Sequence, residues 1–210
     1  MTAPPVDPRA KPLKRPRQAR AKATVQAVFD AFVRIWQRDG WAGVTTRAVA
    51  LETGIAVGTL YDYFPGKKAL LSGYIRHSIE ALLQAVDELA IAPPDLAWDE
   101  RVRRLVRLAC GVHPRPMPWF HRDMMALEAE VAEPKHQRRA HEELVGMWQR
   151  VFDACPDLPR RPDPGEVIAL HLAVWGGRRY AALVQLEPDA VRRWADEMER
   201  LCLASLGARA

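Results

Sequence analysis

The stretch GWAGVTTRAVALETGIAVGTLYDYFPGKKALL, residues 40–71, decides how the first third of the chain folds. Thr45 offers a side-chain oxygen that can cap a short helix, and Gly54 supplies a stop because glycine tolerates the left-handed backbone at helix ends. A second short helix runs from about Val57 to Phe64, where a Pro-Gly pair breaks it. Two short helices joined by a tight turn predict a helix-turn-helix, whose second helix enters the major groove of DNA.

A longer amphipathic helix precedes this motif, from about Arg17 to Asp39, and Gly40 ends it. Apolar residues recur at intervals of three and four, the pattern of one helix face, at Val25, Val28, Phe29, Phe32 and Trp36. The two short helices also carry apolar residues that can meet and fix the angle between them. This expected small core consists of Val49, Ala50, Ile55, Leu60 and Phe64.

Residues 20–75 closely resemble the signature of the tetracycline-repressor family of transcription regulators. The matching positions are Gly40, Thr45, Val49-Ala50, Gly54-Ile55, Gly58-Thr59-Leu60-Tyr61, Tyr63-Phe64, Lys67 and Leu70. The resemblance implies an all-α fold, with an N-terminal three-helix DNA-binding domain and a larger helical domain for ligand binding and dimerisation. It also implies a repressor that binds palindromic double-stranded operator DNA and releases it when a small molecule binds.

The start of the second short helix carries the candidate DNA contacts, which are Val57, Gly58, Thr59, Tyr61 and Tyr63. Gly58 lets the backbone approach DNA closely, and the three hydroxyl groups can reach phosphates or base edges. The resemblance implies that Tyr61 contacts phosphate and that Tyr63 lies beside the groove. The alternative is that both tyrosines simply cover the helix.

Further candidate DNA contacts open the neighbouring helices. Thr45, Thr46 and Arg47 lie where free backbone N–H groups favour a phosphate. Lys67 begins the next helix, an unfavourable place for a cation, and its match to the family's lysine suggests a phosphate partner. Its alternative is a solvated surface lysine. Ala56 departs from the family, which usually has serine there, and it leaves the second short helix without a side-chain cap.

Positive charge is concentrated at the N-terminus. Residues 1–70 hold 12 Lys and Arg against 5 Asp and Glu, whereas the remainder holds 19 against 21. A basic segment on a near-neutral body is typical of nucleic-acid binders. Residues 1–16 are rich in proline and predict an extended basic arm, from which Arg15 and the neighbouring Arg17 can enter the minor groove. A solubilising tail is the alternative.

The rest of the chain also predicts helices, over about 67–91, 97–112, 118–132, 134–154, 164–187 and 189–206. The expected fold is therefore all-α with about nine helices, divided into the arm, a DNA-binding domain over 17–66 and a helical domain over 67–210. The helix over 164–187 is apolar on nearly every face and must be buried. We expect residues 164–206 to form a homodimer interface, with an intramolecular core as the alternative.

Large, adaptable apolar side chains suggest where a mostly apolar effector binds. The candidate ligand-binding residues are Trp119, Phe120, Met124, Met147, Trp148 and Trp175. Core packing is the commoner role for any single one of them. Gly176-Gly177 weakens the helix that carries Trp175, which predicts a kink or a close backbone crossing.

Several other classes of protein find little support in the sequence. Three distant cysteines show no disulfide pattern, and the histidines lack the spacing of a metal site, so no metal or cofactor is expected. No apolar run is long enough for a membrane span and no secretory signal is visible, which favours a cytoplasmic protein. No catalytic constellation is recognisable. A helical enzyme and an architectural DNA binder without an effector remain as alternatives.

Overall fold

A computed structural model describes Pro12 and residues 19–207 of the chain. Over this part the chain forms nine α-helices and one π-helical turn, without a strand, which confirms the all-α prediction. The helices are α1 (Ala19–Gly43), α2 (Thr46–Thr53), α3 (Val57–Tyr61), α4 (Lys67–Val86), α5 (Trp98–Cys110), α6 (Arg122–Val131), α7 (Pro134–Asp153), α8 (Pro164–Leu183) and α9 (Pro188–Gly207). The π-helical turn, Asp87–Ile91, continues α4.

Helix α1 follows the predicted stripe and breaks where the sequence indicated. Gly40 has φ +66° and ψ −175°, a non-helical conformation that interrupts the helix before its last turn. The positive φ explains the glycine, because other residues rarely adopt it. All five residues of the predicted stripe are buried, namely Val25, Val28, Phe29, Phe32 and Trp36.

The chain divides into two compact units. The first contains the described residues up to His77 together with Asp123–Pro134, so it holds the first three helices, the start of α4 and most of α6. The second contains Ser78–Arg122 and the chain from Lys135 onward. Its buried core draws on α4, α5, α7, α8 and α9 around the fully buried Trp148.

Three helices are shorter than the sequence predicted. Helix α3 ends at Tyr61 and a turn continues to Phe64. Helix α6 begins only at Arg122, because Pro116 and Pro118 lack the N–H groups of a helix and restrict the residues before them. Helix α8 ends at Leu183, and Gln185 then adopts a left-handed φ of 55° that cannot continue it.

An arginine in the second unit closes the π-helical turn. Arg101 is 3% exposed, yet its guanidinium finds five carbonyl oxygens around the turn and the loop after it. It donates to the carbonyls of Ala90 (2.6 Å), Ile91 (2.9 Å), Pro93 (2.6 Å), Pro94 (3.3 Å) and Leu96 (3.0 Å). These bonds satisfy carbonyl groups that the end of a helix leaves without intrahelical partners.

Helices α8 and α9 cross closely at a glycine. A Cβ atom on Gly177 would lie 2.5 Å from the Trp194 ring, so the missing side chain permits the contact. Of the two outcomes predicted for this glycine pair, a kink or a close backbone crossing, the contact with Trp194 supports the second. The expectation that α8 is wholly buried is wrong for the single chain, because Leu172 is 53% and Tyr180 66% exposed. The helix packs on its own unit along one face only, and its apolar residues continue onto the other.

Helices long and apolar enough to cross a bilayer are not found among the described residues.

Candidate nucleic-acid interface

Local capping shapes the two short helices. The Thr45 hydroxyl oxygen accepts a hydrogen bond from the backbone N–H of Ala48 at 3.0 Å and so caps α2. Gly54 ends α2 in the left-handed conformation, with φ 72°. Ala56 precedes α3 and makes no side-chain capping bond. All three features were predicted and are confirmed, so α3 begins with backbone N–H groups that no side chain satisfies.

A small apolar core holds α2 against α3. Val49, Ala50 and Leu60 are fully buried, and Phe64 is nearly so. Ile55, the fifth predicted member, is only partly buried. Phe64 also packs against Phe29 of α1, with ring centroids 5.6 Å apart. The buried face of α3 is therefore occupied by structural residues, which leaves the opposite face free for contacts outside the chain.

The outer face of α3 is exposed along its first turn. Val57, Gly58 and Thr59 are all exposed, and Arg47 at the start of α2 is exposed as well. A Cβ atom added to Gly58 would meet no atom of the chain within 4 Å. Glycine costs helix stability, and no close packing within the chain requires it here. The space beside Gly58 is open to an approaching partner.

Tyr61 connects the two short helices. Its side chain is 46% exposed, and the Thr46 hydroxyl donates a hydrogen bond to its hydroxyl oxygen at 3.1 Å. Tyr63 lies beyond the end of α3, is half-buried and packs its ring 6.3 Å from that of Phe64. The bond between Thr46 and Tyr61 spans 15 residues. No spacing rule could have indicated it, yet it brings two predicted contact residues together.

Lys67 packs against a tryptophan and is therefore not a freely solvated lysine. Its ammonium lies 4.5 Å from the centroid of the Trp41 ring and 3.5 Å from the Trp41 carbonyl oxygen. A cation over an indole face is attracted by the electrons of the ring. The contact holds the ammonium beside the turn that begins at Gly40, close to the capped start of α2.

An ion-pair cluster between α1 and α2 was missed by the sequence reasoning. Glu52 accepts from Arg34 at 3.0 Å and from Arg38 at 3.4 Å. The bond from Arg34 is the main reason that the pKa of Glu52 is lowered below its ordinary value. The paired residues are 18 and 14 positions apart in the sequence. No short-range spacing pattern could therefore predict these ion pairs. Exposed ion pairs stabilise little, so their role is to orient α2.

Comparison with known proteins finds a family that this arrangement is similar to. Residues 28–73, which hold the end of α1, both short helices and the start of α4, match the family of bacterial regulatory proteins called the tetR family. Residues 28–73 thus carry the sequence features of the tetR family.

A known transcriptional repressor is similar to part of the chain. The transcriptional repressor KstR of Mycolicibacterium smegmatis is 38% identical over 65 residues, which are 31% of this chain and 32% of KstR. The matched segment thus spans about a third of the length of that relative.

Solved structures resemble the chain over most of its length. A tetR-family regulator from Streptomyces coelicolor has a TM-score of 0.61 at 20% identity and covers 89% of this chain and 97% of its own. A complex of SmeT with triclosan has a TM-score of 0.56 at 17% identity and covers 87% and 91%. At such low identity the likeness concerns the fold alone, and it includes both units.

The predicted ligand-binding residues lie in different environments. Trp119 and Phe120 are half-buried in the loop before α6, and Trp175 is half-buried on α8. Met147 and Trp148 are fully buried in the core of the second unit. Met124 is also fully buried, but it belongs to the first unit.

Two further predictions, the basic arm and the absence of a metal site, concern other parts of the chain. Arg15 and Arg17 of the basic arm lie outside the described residues. In the described part of the chain, no group of three or more His, Cys, Asp and Glu residues is placed to hold a metal ion.

Proposed function

We propose that this chain is a transcriptional repressor that binds a palindromic operator as a homodimer and leaves it when a small, mostly apolar molecule binds. The observation that carries the proposal is the exposed start of α3, with open space beside Gly58 and backbone N–H groups that no side chain caps. Such N–H groups attract phosphate, and close approach of the backbone suits a helix entering the major groove.

The candidate contacts divide into two roles. Val57, Gly58, Thr59 and Tyr63 face the bases, because they occupy the start of α3 and the turn after it. The remaining contacts, which hold phosphates and fix the register, are Thr45, Thr46, Arg47, Tyr61, Lys67 and the arm residues Arg15 and Arg17. The bond from Thr46 supports this division for Tyr61, since it fixes the exposed tyrosine hydroxyl between the starts of α2 and α3.

The homodimer is proposed to form through residues 164–206. Helix α8 leaves a continuous apolar surface uncovered in the single chain, formed by Ile168, Leu172, Tyr180 and Leu183. Exposed apolar patches of this kind mark interfaces between proteins. A two-fold dimer presents two identical α3 helices, which matches an inverted repeat in the operator.

The effector is proposed to bind within the second unit. The half-buried Trp119, Phe120 and Trp175 offer apolar surface to a ligand. The fully buried Met147 and Trp148 support that surface from the core. Met124 is fully buried in the first unit and is not assigned to this surface. Triclosan in its complex with SmeT is a small apolar molecule bound to a protein of the same fold.

Selection from random double-stranded DNA with the purified chain tests this function. An inverted repeat should be enriched. Thr59→Ala should then reduce discrimination between bases, by about 1–3 kcal/mol for a base contact, whereas Lys67→Ala should weaken all sequences about equally. Arg139→Ala, on the exposed face of α7 in the second unit, is the control and should change neither. Enrichment of a single, unrepeated site, or an unchanged preference in Thr59→Ala, would contradict the proposal.

A further inference from the structure

Arg178 on α8 occupies an unusual position in the second unit. Its guanidinium lies 5.6 Å from the centroid of the Trp175 ring and 6.0 Å from that of Phe120. Its Nη1 donates to the carbonyl oxygen of Ala109 at 3.2 Å. Two aromatic rings and the end of α5 therefore surround one cation.

This cation has no anionic partner within the chain. In the part of the sequence that the structure describes, no carboxylate lies within ion-pair distance of Arg178. The Cys110 thiol is near, but burial raises its pKa to about 12 and it stays neutral. Burial also lowers the pKa of Arg178 itself, which reflects the cost of holding the charge out of water. A half-buried cation without an anionic partner costs the fold stability, so a structural role does not explain it.

Arg101 shows what a complete arrangement looks like in the same unit. A guanidinium has five N–H donors. Arg101 donates to five carbonyl oxygens, whereas Arg178 donates to one. Four donors of Arg178 are left without an acceptor among the described residues. Every polar side-chain atom that is fully buried in this part of the chain does have a partner, so the unused nitrogens of Arg178 are reached by solvent.

One face of the guanidinium lies against a glycine. A Cβ atom on Gly111 would lie 3.3 Å from Cζ and Nη2 and 3.4 Å from Nε of Arg178, which places it over the plane of the guanidinium. The missing side chain permits this close approach, and the in-plane Nε–Nη2 edge has no acceptor among the described residues. Two parallel N–H groups on one edge match the two oxygens of a carboxylate, which they can bind together.

We propose that Arg178 binds the carboxylate of an organic monoanion whose apolar body lies against Phe120 and Trp175. The inference rests on the proposed effector function and names the chemical class of the effector. A single charge is favoured because His171, the titratable ring two turns earlier on the same face of α8, is neutral: burial lowers its pKa to about 4. Arg107, on neighbouring α5, is already paired with Asp196 and Glu199. A phosphate dianion would need a second free cation.

Calorimetric titration of the full chain tests the proposal without DNA. The probes are 2-naphthoate and decanoate, each compared with its uncharged amide, and inorganic phosphate. Each carboxylate should bind at least about tenfold more tightly than its amide, since charge-assisted bidentate bonds are the strong ones. Arg178→Gln should abolish this preference. Arg178→Lys should retain part of it, because lysine keeps the charge but loses the planar fork.

Arg138→Gln is the matched control, since it removes the same charge from an exposed site on α7 of the same unit. It should leave the preference unchanged. Equal binding of acids and amides, binding of none of the probes, tighter binding of phosphate, or a preserved preference in Arg178→Gln would each overturn the proposal. A chain that prefers carboxylates but selects no operator would instead refute the proposed function and leave this site standing.

Thermal unfolding without ligand gives a second readout. Arg178→Met removes a cation that has no anionic partner, so its melting temperature should equal or exceed that of the parent. A residue that is kept for binding often costs the fold some stability. Arg101→Met should lower it by several degrees, because five carbonyl groups lose their donor. A comparable drop in Arg178→Met would identify Arg178 as a structural residue and overturn the proposal.

Discussion

Burial of His171 makes the stability of the chain depend on pH. His171 is 2% exposed, lies with its ring centroid 5.2 Å from that of His141 and stacks on Trp175 at 6.4 Å. Desolvation, with a smaller contribution from His141, lowers its pKa from 6.5 to about 4. The folded chain therefore keeps His171 neutral at a pH where the unfolded chain protonates it.

The sign and size of the effect follow from this difference. Between pH 6.5 and 4 the unfolded state binds more protons, so stability is full above pH 6.5 and falls as the pH is lowered to 4. At 1.36 kcal/mol for each pKa unit, the complete loss is about 3 kcal/mol, and about 2 kcal/mol of it falls between pH 7 and pH 5. The Arg160 side chain lowers the pKa of Glu166 from 4.5 to about 2. This carboxyl therefore changes the stability only below about pH 4.5, outside the range from pH 7 to pH 5.

Replacement of His171 by phenylalanine tests the reasoning. Urea unfolding at a fixed protein concentration, followed by tryptophan fluorescence at pH 7 and pH 5, should show about 2 kcal/mol less pH dependence in His171→Phe than in the parent. His136→Gln, which removes an exposed histidine on α7, should leave the dependence unchanged. The reasoning fails if His171→Phe loses as much stability between the two pH values as the parent does.

Two further substitutions test the helix start and the helix crossing. Ala56→Ser should supply the missing cap of α3 and raise the free energy of unfolding by about 0.5–2 kcal/mol, measured by urea unfolding, while Ala56→Val adds no acceptor and should give no such gain. An equal free energy of unfolding for the serine variant and the parent would mean that another group caps α3. Gly177→Ala should destabilise by about 1–3 kcal/mol because its Cβ meets the Trp194 ring, whereas Gly146→Ala in α7, where the space is open, should stabilise by up to about 1 kcal/mol. Similar unfolding curves for the two alanine variants would argue against the close crossing.

The helix-turn-helix could be predicted because its determinants are local. Thr45 caps a backbone group three residues away, and Gly54 ends its helix through its own dihedral angles. Both signals are complete within a few residues, so the sequence alone places both ends of α2. The family resemblance covers the same part of the chain, which is why the proposed DNA contacts are more sharply defined than the effector site.

The site in the second unit left no comparable signal. Arg178 meets Ala109 across 69 residues, and its importance lies in the carboxylate it lacks, which no spacing encodes. The surface of α8 was misjudged for a related reason. Apolar periodicity indicates that a face is covered, but it does not say whether the same chain or another molecule covers it.

The carbonyl cluster around Arg101 also limits how the sequence can change. Most helix ends are marked by a residue at the end itself, whereas here the end of the π-helical turn depends on a side chain ten positions beyond Ile91. The guanidinium reaches all five carbonyls only if the intervening loop keeps its length. Substitutions in residues 92–97 that preserve the backbone are compatible with this arrangement. An insertion or deletion of one residue there changes the path of the loop and displaces the carbonyls of Pro93, Pro94 and Leu96 from the guanidinium.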